Sequence, residues 1–276
     1  VPETRDATEP SAMTKGLRTL AARYGAVGLK RTRCASAMGN IVFDAASVRA
    51  RTPAEIETDV HRFLQRTEWP GDEPVLIVAW ETARFSPSTQ WWIPPAGHGP
   101  PRLDGIYEQI LEGDRKVFVG SRPAALPVAV ERTLSDASAR VAAALQELDY
   151  VGRASFDHLV VAQDEADGGF AIRFTECNGR WGGTSTPMFL VDRVVDGPRP
   201  PYRAQDFAHP RLVGLSFEDV LERLGEQAFD RRTQRGRYLL YNVGPLSKFG
   251  KLDVIAFGTH QAAAEHALVS DLPRRL

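Results

Sequence analysis

The sequence predicts an α+β fold, in which helices and antiparallel strand pairs occupy separate stretches of the chain. Apolar residues recur near every 3.6 positions over 53–66 and over 133–148, which is typical of helices that bury one face. Two strand-like runs at 154–162 and 170–178 flank a short polar stretch ending in glycines, which predicts an antiparallel hairpin. With 276 residues the chain is long enough to bury a core of its own.

The first part of the chain alternates strands with amphipathic helices. Ser11 would cap one helix, and Thr52 is a suitable cap for the helix at 53–66. The predicted elements are a loop at 1–10, a helix from Ser11 to Arg23 or Tyr24, a strand at 26–31, a small-residue loop at 32–40, a strand at 41–43, a helix at 53–66 and a buried strand at 74–81. Two strands joined by a loop of small residues form a hairpin that could lie over phosphates.

The second part of the chain is richer in turns. Prolines and glycines make 94–101 a loop and do the same for 194–203. The other predicted elements are a strand at 91–93, a helix at 133–148, hairpin strands at 154–162 and 170–178 around a turn at 163–169, a helix at 216–229, strands at 238–243 and 252–257 and a helix at 261–270, with 104–112 left open between helix and irregular structure. We therefore expect three segments, 1–85, 86–200 and 201–276, the last being a small β-β-α module.

The composition argues against two classes of partner. A net charge of −1 gives no case for nucleic acid or a membrane surface, and the apolar run at 75–80 is far shorter than the roughly 20 residues of a membrane span. Cys34 and Cys177 form no zinc or redox motif, and this sparse cysteine content fits a cytoplasmic, reducing environment. The chain begins with Val1 rather than Met, so we expect further residues upstream.

The clearest chemical signal lies at the end of the second hairpin strand. Glu176 and Asn178 alternate along this strand, so their side chains share one face about 6.6 Å apart. A carboxylate and an amide oxygen suit a hard divalent cation such as Mg²⁺, and the planar fork of Arg180 suits a phosphate or a carboxylate. The hairpin register could add Asp157 as a third oxygen ligand. The alternative is an edge strand on which Glu176 and Asn178 are merely solvated.

Three parts of the chain occur in the order found in a known superfamily. A strand ending in Lys30 precedes the small-residue loop, an apolar strand ends at the polar Glu81, and the late stretch reads Phe-Thr-Glu-Cys-Asn-Gly-Arg at 174–180. On these motifs residues 5–190 resemble the ATP-grasp superfamily of ATP-dependent carboxylate–amine ligases. The segment 236–270 is similar to the C-terminal module of one subgroup, the pheganomycin-type peptide ligases, in which a pre-ATP-grasp domain precedes the ATP-grasp core.

The resemblance implies a fold and a role for each matching residue. A lid subdomain at 1–85 and a metal-binding subdomain at 86–200 would clasp ATP, followed by the C-terminal module. Lys30 would bind ATP phosphate, and Arg180 would be the catalytic residue that contacts the γ-phosphate or an acyl phosphate. The other implied contacts are phosphate binding by the loop at 35–40 with Ser36, Met38 and Gly39, adenine binding by the backbone of Val78, Ala79 and Trp80, ribose binding by Glu81, and one or two Mg²⁺ held by Asp157, Glu176 and Asn178.

The implied reaction joins a carboxylate to an amine. ATP would phosphorylate the carboxylate, the amine would displace phosphate from the acyl phosphate, and ADP and phosphate would be released. The implied partners are a small-molecule or peptide carboxylate and an amine, with an amino acid or peptide as the expected nucleophile and a homodimer left open. The chain departs from the family pattern in its single glycine within 33–40 and in lacking the N-terminal domain, which would act in cis or in trans. A phosphoryl transferase and a non-catalytic nucleotide-binding module remain the alternatives.

Overall fold

The computed structural model describes residues 1–33, 36–113, 116–162 and 169–276. The chain divides into two compact units. The first comprises 1–86, 111–118 and 158–176, and the second comprises 87–110, 119–157 and 177–276. Helices accompany two sheets with antiparallel pairing, so the predicted α+β class is confirmed. None of the helices in the described ranges is long and apolar enough to cross a membrane.

The first unit is built on a four-stranded antiparallel sheet. The elements within its residues 1–86, in chain order, are β1 (Thr4–Ala7), α1 (Pro10–Ala21), β2 (Ala26–Arg31), β3 (Asn40–Asp44), α2 (Ala45–Ala50), α3 (Pro53–Arg66) and β4 (Val75–Ala79). The strand order is β1-β4-β2-β3. Helices α1 and α3 bury their apolar faces in the core beside this sheet through Met13, Leu17, Leu20, Ile56, Val60 and Phe63.

The helix at 53–66 has the predicted bounds, and its first turn explains why. Thr52 Oγ1 accepts a hydrogen bond from the Glu55 amide at 3.4 Å, and a Glu55 carboxylate oxygen accepts one from the Thr52 amide at 2.8 Å. This reciprocal pair satisfies two donors at the helix start. Pro53 occupies the first helical position, where no amide hydrogen is needed.

The prediction of a loop at 1–10 is wrong in two places. Residues Thr4–Ala7 form β1, which pairs with β4 in the register Thr4↔Val78 to Ala7↔Val75. The side chains of this edge strand are largely exposed, so no apolar alternation marks it in the sequence. Helix α1 then begins at Pro10, one residue before the predicted cap Ser11, because proline suits the first helical position.

The remaining elements, in chain order, are β5 (Pro87–Ile93), β6 (Arg102–Glu112), β7 (Val117–Pro123), α4 (Val128–Glu147), β8 (Gly152–Ala162), β9 (Phe170–Asn178), α5 (Ser185–Val194), β10 (Tyr202–Ala208), α6 (Phe217–Leu224), β11 (Tyr238–Tyr241), α7 (Leu246–Phe249), β12 (Lys251–Phe257), α8 (Gln261–His266) and α9 (Leu272–Arg275). Strands β5 to β12 form one sheet of order β11-β12-β10-β7-β6-β5-β8-β9. Met188 and Val191 of α5 bury themselves against Tyr107, Tyr202 and Ile255 of this sheet.

The C-terminal strands continue this sheet, so the structure groups 201–276 with the second unit rather than apart from it. Strand β10 pairs with β7 through Ala204↔Ser121 and Gln205↔Gly120. A Cβ atom at Gly120 would lie 2.2 Å from the carbonyl oxygen of Ala204, so the close approach of β10 requires glycine there.

Several other predicted elements differ from the structure. The open stretch at 104–112 belongs to β6, while α5 was not predicted and β10 begins inside the predicted loop at 194–203. The helix expected at 216–229 ends at Leu224, because Gly225 takes a left-handed φ of 52°. Residues 163–168 of the predicted turn, and Ala35 of the predicted phosphate loop, lie outside the described residues.

Candidate functional site

Asp157 lies on β8, in the second unit, and is held from two sides. Its Oδ1 accepts a hydrogen bond from Ser88 Oγ at 2.6 Å, and its Oδ2 accepts one from Asn178 Nδ2 at 3.1 Å. Ser88 is also the register partner of Asp157 in the antiparallel β5–β8 pair, so both side chains lie on one face of the sheet. The structure thus brings two of the predicted metal ligands, Asp157 and Asn178, into direct contact.

Arg180 continues the same string of hydrogen bonds. Its Nη2 donates to Asn178 Oδ1 at 3.0 Å, and its Nη1 lies 3.4 Å from the carbonyl oxygen of Trp181. The guanidinium belongs to an exposed residue and is therefore open to an incoming anion. Asn178 is fixed between a carboxylate and a cation, which orients both ends of its amide.

Trp181 directly follows Arg180 and packs against Phe189, an aromatic pair that the sequence did not indicate. The Trp181 indole is 48% exposed, and its centroid lies 5.4 Å from that of Phe189 in an edge-to-face arrangement. The guanidinium over the Trp181 ring is that of Arg153, at 5.6 Å, and not that of Arg180. Arg153 forms its ion pair with Asp104, and both side chains are nearly buried.

In the first unit, Lys30 and Glu176 form an ion pair. Lys30 Nζ lies 3.6 Å from Glu176 Oε2, and the side chains are 27% and 47% exposed. An ion pair this open to solvent is worth little, so exchanging it for a phosphate or a metal costs little. The predicted phosphate-binding lysine and one predicted metal ligand are therefore neighbours.

The residues expected to contact adenine lie at the end of β4, a strand that is paired with a neighbouring strand on each side. Val78 lies opposite Thr4 on one side and Gly28 on the other. The Ala79 amide donates to the backbone oxygen of the residue just before β1 at 2.9 Å, and the Trp80 amide donates to a backbone oxygen of β2 at 3.0 Å. The amide donors of Ala79 and Trp80 are thus already used within the sheet.

Glu81, the candidate for ribose, also has a partner. Arg173 Nε donates to Glu81 Oε2 at 3.0 Å and Arg173 Nη2 donates to Glu81 Oε1 at 3.3 Å. This two-point contact leaves the Glu81 side chain 17% exposed. A ribose hydroxyl would therefore compete with Arg173 for the carboxylate.

The structure describes the last residues of the loop predicted to cover phosphates, and it shows which side chain holds the start of that loop. Residues Ser36–Gly39 form one turn of 3₁₀ helix, in which Met38 is 69% exposed and Gly39 is buried. At the other end, Glu73 accepts hydrogen bonds from the Thr32 hydroxyl and, at 2.6 Å, from the Arg33 amide. Glu73 belongs to no motif, so nothing in the sequence marks it as an anchor of this loop.

The donor set fits magnesium in its chemistry. In the second unit, the Asp157 carboxylate and the Asn178 amide oxygen are hard ligands of the kind that Mg²⁺ prefers, and Glu176 of the first unit carries a further carboxylate. Two of these side chains already attract cationic groups, Lys30 at Glu176 and Arg180 at Asn178. Among the described residues no three His, Cys, Asp or Glu side chains are grouped so as to hold a metal.

The fold that carries these residues is the ATP-grasp fold. The carboxyaminoimidazole ribonucleotide synthase of Aspergillus clavatus, solved in complex with ATP, matches 100% of this chain and 68% of its own, with a TM-score of 0.62 and 12% identity. The N5-carboxyaminoimidazole ribonucleotide synthetase of Thermus thermophilus matches 100% of this chain and 68% of its own, with a TM-score of 0.57 and 18% identity.

The N5-carboxyaminoimidazole synthetase of Staphylococcus aureus, complexed with ADP, matches 99% of this chain and 67% of its own, with a TM-score of 0.57 and 10% identity. At identities this low, the likeness to these structures establishes the fold alone. No protein-family model matches the chain, and no curated protein sequence does.

Proposed function

We propose that the protein is an ATP-dependent carboxylate–amine ligase that works through an acyl phosphate. The observation that carries this proposal is the string of hydrogen bonds from Asp157 through Asn178 to Arg180, which sets a cation beside candidate metal ligands in a chain with the ATP-grasp fold. A carboxylate oxygen attacks the γ-phosphorus of ATP, the bond to the β-phosphate oxygen breaks, and ADP leaves. The amine then attacks the acyl carbon, the phosphate leaves, and the amine loses a proton.

The first step brings two anions together, so its barrier depends on neutralising charge. Lys30 binds ATP phosphate, and Arg180 contacts the transferred phosphate and the acyl phosphate formed from it. Asp157, Glu176 and Asn178 hold one or two Mg²⁺. When bound, Mg²⁺ draws negative charge from the phosphate oxygens. Closure of the loop at 35–40, with Ser36, Met38 and Gly39, keeps water from the acyl phosphate.

Nucleotide recognition falls to the end of β4. Because the amides of Ala79 and Trp80 are already used, we propose that the backbone immediately beyond them, from Glu81 onward, supplies donors to adenine, while Val78, Ala79 and Trp80 line the base. Glu81 binds ribose by exchanging its contact with Arg173.

The finer assignment is an amino-acid or peptide ligase of the pheganomycin type. It is supported by the resemblance of 236–270 to the C-terminal module of that subgroup. In this assignment a separate N-terminal domain, in cis or in trans, helps to bind the acid, and the protein acts in the cytoplasm.

Calorimetry of Mg²⁺-dependent ATP binding tests the nucleotide site. The parent protein should bind, Glu176→Ala should lose the metal-dependent part of the affinity, and Lys30→Ala should weaken binding roughly 10-fold to 100-fold. Lys15→Ala is the matched control, because Lys15 is an exposed lysine on α1. A parent protein that fails to bind ATP with Mg²⁺ would overturn the proposal.

Product analysis separates the ligase from its rivals. With the correct acid, hydroxylamine should trap the acyl phosphate as a hydroxamate, and release of ADP should depend on the amine. Accumulation of a stable phosphorylated product without an amine would instead identify a phosphoryl transferase. Tight ATP binding without turnover by any acid–amine pair would identify a non-catalytic module.

A further inference from the structure

Two polar side chains lie deep in the sheet of the second unit, where apolar residues would be the ordinary choice. Ser88 and Gln90 on β5 are 0% and 1% exposed. They are two residues apart, so both point to the face of the sheet that carries Asp157. Ser185, at the first turn of α5, is also 1% exposed and reaches the same place.

These side chains form one continuous chain of hydrogen bonds. The Gly182 amide donates to Ser185 Oγ at 3.2 Å, and Ser185 Oγ donates to Gln90 Oε1 at 2.9 Å. Gln90 Nε2 then donates to Ser88 Oγ at 3.0 Å, and Ser88 donates to Asp157 Oδ1 at 2.6 Å. The bonds run in one direction, from the loop before α5 to the candidate metal ligand.

A network of this kind is costly unless every member has a partner, and when satisfied it fixes a single arrangement. Ser88 accepts from one neighbour and donates to the next, and so does Ser185, which leaves neither hydroxyl free to rotate. Since Ser88 holds Oδ1 of Asp157, the other oxygen, Oδ2, is turned toward Asn178.

We propose that Ser88, Gln90 and Ser185 are positioning residues that set the orientation of Asp157 and tie it to the Gly182 loop, which follows directly on Arg180. The inference rests on the proposed function, because it gives this orientation a purpose in metal binding. Residues that orient metal ligands typically change metal affinity 10-fold to 100-fold when they are removed.

Metal binding by paired serine variants gives the first test. Mn²⁺ is the probe for the Mg²⁺ site, and its affinity is measured by electron paramagnetic resonance on the intact protein. Ser88→Ala should weaken Mn²⁺ binding about 10-fold. Ser121→Ala is the matched control: Ser121 is 0% exposed in the same sheet, and within the described residues its hydroxyl has no hydrogen-bond partner. Its Mn²⁺ affinity should equal that of the parent.

A double-mutant cycle shows whether Ser88 acts through Asp157. Asp157→Asn should itself weaken Mn²⁺ binding, and adding Ser88→Ala should then cause no further loss. Equal affinities for Ser88→Ala and Ser121→Ala, with Asp157→Asn impaired, would overturn the positioning role while leaving the metal site intact. Mn²⁺ binding that is indifferent to Asp157→Asn would overturn both proposals.

Hydrogen exchange gives a test without metal. Gln90→Met removes the central member of this hydrogen-bond chain but keeps a side chain of similar shape. The Gly182 amide should then exchange at least about 5-fold faster, as expected for a weakened hydrogen bond. Thr89→Val is the control, because Thr89 is 0% exposed on the opposite face of β5. An unchanged Gly182 rate in Gln90→Met would overturn the link between Asp157 and the loop.

Discussion

The ion pair between Arg31 and Glu73 is buried, and breaking it should be costly. The side chains are 5% and 9% exposed, with Arg31 Nη2 at 2.7 Å from Glu73 Oε2. Arg31→Met would leave the Glu73 carboxylate without its cation, a change that costs about 3–5 kcal/mol. At about 2–4 °C per kcal/mol for a chain of this size, the midpoint of thermal unfolding, followed by circular dichroism, should fall by roughly 6–20 °C.

An exposed pair in the same unit provides the control. Arg62 and Asp59 are 2.6 Å apart, but the Arg62 side chain is 70% exposed, so Arg62→Met should cost no more than about 1 kcal/mol. A loss for Arg31→Met no larger than that for Arg62→Met would refute the reasoning. Combining Arg31→Met with Glu73→Leu should recover much of the loss, because both charges are then removed.

The pH dependence of stability tests the same pair independently. Burial raises the pKa of the Glu73 carboxyl, but hydrogen bonds from Thr32, Arg31 and the Arg33 amide outweigh burial and hold this pKa below its usual range. The stabilisation is therefore complete above the unfolded-state pKa and is lost as the pH falls through the lower folded-state pKa. The cost of Glu73→Gln should be largest near pH 7 and shrink below about pH 4.

Three other changes give separate expectations for unfolding experiments. Burial and the facing carboxylate of Asp206 on β10 raise the pKa of Asp253, so Asp253→Asn should stabilise the protein at pH 7. In urea melts this gain in stability should vanish below about pH 4, where Asp253 is protonated in the unfolded chain as well. Gly120→Ala should cost about 1–3 kcal/mol through its clash with Ala204, whereas Gly25→Ala, with open space around it, should escape that clash. Thr52→Ala should cost about 1 kcal/mol in thermal melts, and an unchanged midpoint would show that the cap contributes nothing.

The elements predicted correctly are those whose signals are local. The helix at 53–66 combines a capping box, an initial proline and a periodic apolar face, so its bounds follow from the sequence. Strand β1 has no such signal, because its pairing with β4 comes from residues some 70 positions away. Helix α5 was missed because the glycines before it and Pro187 within it resemble a loop.

The residues of the candidate site also fall into those with a local signal in the sequence and those without one. The alternation of Glu176 and Asn178 follows from strand geometry, and hairpin register suggested Asp157. Ser88, which donates to Asp157, and Gln90, which donates to Ser88, lie on a strand about 70 residues earlier, and a serine and a glutamine carry no motif. Only the folded sheet shows that they share a face with the carboxylate.

The continuity of the second sheet has a consequence for the order in which the chain folds during synthesis. All four strands of the first sheet lie within residues 4–79, so that sheet is complete early on the ribosome. The edge of β7, by contrast, stays unpaired until β10 and the strands beyond it have been synthesised. Until those strands emerge, β7 offers unpaired backbone groups to any other chain. Ribosomes that stall before β10 should therefore yield nascent chains that engage chaperones or aggregate.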